Sequence, residues 1–82
     1  MRFVKIGHSW FNPTRIDRIR ADTETDGGLY KPVVKIYLQA KTFYFEGDEI
    51  GMKSYYYAEE CDAKIRAETM LHKVLTDILE AL

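Results

Sequence analysis

The chain has 82 residues, 12 Lys/Arg against 13 Asp/Glu, and a net charge of −1. That is one small domain, and its 46% hydrophobic and 30% charged residues are those of a globular protein rather than a disordered or fibrous one. No apolar run approaches the ~18 residues of a membrane helix, and the opening MRFVKIGHSW lacks a long apolar stretch and a small-residue cleavage site, so neither a span nor a secretory signal is expected.

The small size has consequences for function. A chain of this length buries only about 60–65% of its unfolded surface, which leaves little room for a deep catalytic cleft and makes self-association a natural source of extra burial. The single cysteine, Cys61, forms no internal disulfide, which fits a reducing cytoplasm; it is expected as a small buried hydrophobe on a helix. The near-neutral total hides an asymmetry. Residues 1–45 carry eight bases against four acids, and residues 46–82 carry four bases against nine acids. The first half is therefore basic and the second acidic, as expected if the two neutralise each other, or if a basic sheet recognises an anionic partner.

In chain order, Phe3–Ile6 reads as a strand, Gly7-His8 as a turn and Ser9–Phe11 as a second short strand. Asn12-Pro13 is a helix-start signal, with Asn as the cap and Pro at the first helical position. Ile16 and Ile19, three apart, suggest one helical turn running into a strand of about Ile19–Asp22. Thr23–Gly28 reads as a polar hairpin tip ending in a glycine pair. Pro32 marks a strand start or an edge. From Val33 to Leu38 the side chains alternate, with Val34, Ile36 and Leu38 on one face and Val33, Lys35 and Tyr37 on the other. Gln39-Ala40 is a tight turn, and Lys41–Glu46 follows with Phe43 and Phe45 on one face and Thr42, Tyr44 and Glu46 on the other. Phe3, Phe43 and Phe45 are expected in the core.

After the break at Glu46–Gly51, Met52–Ala58 carries three consecutive tyrosines and reads as a last strand, the competing reading being an earlier start to the helix. The final segment, 59–82, contains no Gly or Pro, opens with Glu59, Glu60 and Asp62, and is an amphipathic helix. Its apolar arc is centred on Ala67, Leu71, Val74, Leu75, Ile78 and Leu82, with Met70 and Ala81 on one border and Leu79 on the other. The expected fold is one α+β domain over 1–82: a two-layer antiparallel meander of four to five strands in 1–58, covered by one long C-terminal helix.

No chemistry-bearing constellation stands out. Asp22–Gly27 imitates the start of a calcium loop, but the twelfth position is Val33 where a Glu is needed. His8 and His72 with one Cys make no zinc spacing, Ser9 beside His8 points to the opposite face, and Gly27-Gly28 precedes a strand rather than a helix. No enzyme activity, metal or cofactor is expected. Two surfaces remain. Past residue 67 the helix arc is wider than one docked face needs, so Met70, Leu71, Val74, Leu75, Ile78, Leu79 and Leu82 are the candidate interface with a second copy or another protein. Arg15, Arg18, Arg20, Lys35, Tyr37 and Tyr44 could form a basic, aromatic face for an anionic partner such as single-stranded nucleic acid.

The opening, Phe3–Gly7 with Trp10–Pro13, Ile16 and Ile19, resembles short bacterial and phage proteins. The general habit is similar to that of phage-encoded inhibitors of host defence, a likeness of type that no motif carries. Sequence reasoning thus arrives at a non-enzymatic, homodimeric protein-interaction module, with a nucleic-acid-binding module as the alternative.

Overall fold

The computed structural model describes residues 2–82 as an α+β arrangement of five strands and one long helix. The strands are β1 (Val4–Ile6), β2 (Ser9–Phe11), β3 (Arg18–Asp26), β4 (Leu29–Leu38) and β5 (Lys41–Phe45), and the helix is α1 (Glu60–Ala81). The strands do not form the single meander expected from sequence. β1 and β2 make a separate antiparallel hairpin, and β3-β4-β5 make a three-stranded antiparallel sheet on which α1 packs.

Two tight turns set the register of the larger sheet. Gly27-Gly28, both at positive φ, joins Asp26 to Leu29, and Gln39-Ala40, with Gln39 at φ 56°, joins Leu38 to Lys41. Short loops of this kind fix which residues face each other. One face then carries Ile19, Ile36 and Phe43 in a row and Ala21, Val34 and Phe45 in the next. β3 is longer than expected. Thr23–Asp26, read as a hairpin tip, pairs in register with Leu29–Pro32, because Glu24 gains Lys31 as its cross-strand neighbour.

That apolar face is covered by α1 and by the β1-β2 hairpin beside it. Val4, Ile6 and Phe11 are buried, with the Phe11 ring edge-on to Phe43 and Phe45 at 5.1 and 6.0 Å. Gly7 lets the hairpin close down. It sits at φ +62°, and a Cβ there would lie 2.6 Å from the Phe45 ring. Phe3, expected in the core, is exposed, since the strand alternation that buries Val4 and Ile6 turns its neighbours outward. Asn12 caps a turn of 3₁₀ helix at Pro13–Arg15, its Oδ1 accepting from the Thr14 amide at 3.1 Å.

Met52–Ala58 is neither strand nor helix. After a 3₁₀ turn at Gly47–Ile50 the chain runs irregularly to Glu59, touching the sheet through one bridge in which Tyr30 and Tyr57 exchange amide–carbonyl bonds of 2.7 and 2.9 Å. Its task is to carry the chain from the end of β5 to the start of α1, and this overrides the strand propensity of the tyrosines.

α1 is about 33 Å long at 1.5 Å per residue. Its buried stripe is Ala63, Ala67, Met70, Val74, Ile78 and Ala81, a spacing of three and four that continues through the whole helix. The stripe is rotated from the expected arc. Met70 and Ala81, placed on a border, lie within it, while Leu75, Leu79 and Leu82 lie outside it. The three alanines explain the shift, because a helix approaches a sheet most closely along its smallest side chains. Cys61, expected to be buried, is exposed on the helix's outer side. No helix among the described residues is long and apolar enough to cross a membrane.

Candidate functional site

Two surfaces hold the residues singled out from sequence. The first is the open face of the sheet. β3 and β4 place Arg18 opposite Tyr37 and Arg20 opposite Lys35, and β5 places Tyr44 beside Lys35. Five of the six candidate residues for an anionic partner therefore meet on one face. Arg15 does not, since it lies in the 3₁₀ turn before β3.

The same face also carries acids, and they change its character. Lys35 Nζ lies 2.8 Å from Asp22 and 3.4 Å from Glu24, Arg20 lies 2.9 Å from Asp22, and Lys31 lies 3.6 Å from Glu46. Lys35 is only 15% exposed and also lies 5.2 Å from the Tyr44 ring centre. Asp22 is the hub. Its carboxyl accepts from the Thr23 amide at 2.8 Å as well as from Lys35 and Arg20. The Lys35 hydrogen bond above all, against the opposing effect of burial, holds the Asp22 carboxyl at about 2 and pushes the Lys35 ammonium up. Arg18 alone among the three β3 and β4 cations of the candidate face has no acid within ion-pair distance among the described residues, and it lies over Tyr37 at 5.8 Å. Beside this network Glu24, Lys31, Tyr44, Glu46 and Glu49 rim a shallow depression of about 370 Å³. Its floor is Val33, which the surrounding long side chains cover.

The second surface is α1. Of the seven interface candidates, Met70, Val74 and Ile78 lie in this chain's own core and Leu71 is half-buried. Leu75, Leu79 and Leu82 remain 39%, 68% and 68% exposed on one flank. Leu75 overhangs a groove of about 310 Å³ whose other walls include Pro13, Ile16, Arg18 and Ile19, so this flank lies towards the start of β3. The opposite flank is occupied. Arg66 donates to the Lys53 carbonyl at 2.9 Å and lies 5.0 Å from the Tyr55 ring, which ties the irregular segment to the helix. Sequence reasoning missed this role of Arg66, and only its helical spacing from the buried stripe could have hinted at it.

No combination of His, Cys, Asp and Glu among the described residues has the geometry to hold a metal ion. No family model, no curated protein and no solved structure matches the chain.

Proposed function

We propose that this chain is a small non-enzymatic protein-interaction module that works as a homodimer in the cytoplasm, the kind of part used as an inhibitor or accessory protein. The observation that carries the reading is the divided helix. One stripe of α1 is spent on the sheet, while Leu75, Leu79 and Leu82 stand exposed beside it. Burying a leucine fully is worth roughly 1.5–3 kcal/mol, so a flank of three is a substantial unspent driving force for association. The lone exposed cysteine supports a reducing compartment.

The alternative, nucleic-acid binding through Arg15, Arg18, Arg20, Lys35, Tyr37 and Tyr44, has less support. Lys35 and Arg20 spend their charge on Asp22 and Glu24, and a phosphate chain would have to displace those acids.

The test is light scattering after size-exclusion chromatography, on the natural chain and on a Leu75→Glu/Leu79→Glu double variant. The expected result is a dimer that persists in high salt and dissociates in the variant, with unchanged far-UV circular dichroism. A natural chain that stays monomeric at millimolar concentration refutes the reading.

A further inference from the structure

We infer that a second copy of this chain pairs with the free edge of β3, antiparallel and with Ala21 on the two-fold axis, so that two three-stranded sheets become one of six strands. The inference rests on the homodimeric reading above and says where the partner sits.

The edge is available over its length. β3 is the outer strand of its sheet, and its direction of hydrogen bonding follows from three observations. Leu38 and Lys41 close a two-residue turn, so Leu38, Ile36 and Val34 bond towards β5. Tyr30 bonds to Tyr57 on that same side. Asp26 and Leu29 close the other two-residue turn, which makes the even-numbered residues of β3 the ones that bond to β4. Ile19, Ala21, Thr23 and Thr25 therefore point their amides and carbonyls outward. Among the described residues the one partner on these outward amides is Asp22 Oδ1, at Thr23.

Charge selects a second copy as the occupant. β3 runs from basic to acidic, with Arg18 and Arg20 followed by Asp22, Glu24 and Asp26, all on the open face. An antiparallel copy meets this gradient in reverse. With Ala21 on the axis, Arg20 lies opposite the partner's Asp22 and Arg18 opposite the partner's Glu24. Ala21 and the partner's Ala21 exchange two bonds, and each Ile19 amide donates to the partner's Thr23 carbonyl, about four bonds in all while the Thr23 amide stays with Asp22. Moving the axis to Asp22 would set two aspartates face to face, which like charges disfavour. Arg18, which has no acid within ion-pair distance among the described residues, gains one.

The helices agree with this placement. α1 lies over β3 and β4, and strands are spaced about 4.8 Å, so two-fold symmetry sets the two helices about 10 Å apart, at helix-packing distance. The flank turned towards the partner is the one bearing Leu71 and Leu75, since the other is closed by Lys53 and Tyr55. One copy thus covers both the unpaired edge and Leu75 on that flank.

The test uses the full chain with Cys61→Ser. Ala21→Cys should form a disulfide-linked dimer under mild oxidation, because paired Cα atoms at ~5.5 Å suit a disulfide. Thr25→Cys should not, since the two copies of residue 25 lie about 27 Å apart in this register. Ala21→Pro deletes an outward amide without touching the β3-β4 ladder, and should give a monomer with unchanged circular dichroism. A dimer that survives Ala21→Pro, or an Ala21→Cys variant that is dimeric yet forms no cross-link, overturns the edge pairing and leaves the interaction-module reading standing. A natural chain that is monomeric at millimolar concentration overturns both.

Discussion

Replacing Asp22 by Asn keeps the shape of the side chain and removes its charge, and the structure sets the size of the effect. The Asp22 carboxyl is held at about 2, against 3.8 when unperturbed, chiefly by the 2.8 Å bond from Lys35. At ~1.4 kcal/mol per unit, a lowering of this size corresponds to about 2 kcal/mol of folding stability. The side chain is only 20% exposed, so solvent screening removes little of it. The sign follows from the direction. A carboxyl depressed in the folded state contributes stability that is present above its unfolded value and is lost as pH falls from about 4 towards 2. A domain of this size is stable by roughly 4–12 kcal/mol, so the loss is a large share. Urea denaturation at pH 7 should show the midpoint of Asp22→Asn about 2 M below that of the natural chain, taking a slope of ~1 kcal/mol per M. At pH 2, where the folded carboxyl is half-protonated, the gap should shrink to about 0.4 M. An equal gap at both pH values, or none at pH 7, would refute the account of Asp22 as the hub of the open face.

Two further perturbations test the core and the turns. Met70→Ala, at a fully buried site, should cost about 2–5 kcal/mol in urea denaturation, whereas Leu79→Ala should leave monomer stability within about 0.5 kcal/mol. Equal losses would mean that the helix is rotated from the orientation described. Gly7→Ala should be far more costly than Gly27→Ala by the same assay. Both positions have positive φ, but a Cβ at Gly7 would press into the Phe45 ring while one at Gly27 meets open space. A similar denaturation midpoint for both would refute the close contact between hairpin and sheet.

The parts of the fold that can be read from sequence are those with a strict local period. Val33–Leu38 alternates, so the faces of β4 and the match of Val34 and Ile36 with Phe43 and Phe45 follow at once. Elsewhere tertiary effects obscure the pattern. Thr23–Asp26 has the composition of a solvated loop, and only the cross-strand partner Lys31 makes it strand. With β3 read as ending at Asp22, Lys35 reads as a free cation, when Asp22 and Glu24 sit against it. The expected helix arc is weighted towards large residues, which leaves Met70 and Ala81 on its border, although the small Ala63, Ala67 and Ala81 line the contact. Nothing local tells a hairpin such as β1-β2 whether to join a sheet or to stand beside it.

The connections of the sheet also bear on how the chain assembles. β3, β4 and β5 are joined by turns of two residues, so the meander can close by local encounters on the microsecond scale of hairpins. Much of the cover for its apolar face comes from α1, which begins at Glu60, well after β5 ends at Phe45. Until that late segment folds back, the β1-β2 hairpin can cover only the Phe43 and Phe45 side of the face, and Ile19, Val34 and Ile36 stand without their helix beside the open edge of β3. Helix arrival is then the step on which productive folding depends, and a chain delayed there is the species most prone to stick to its neighbours.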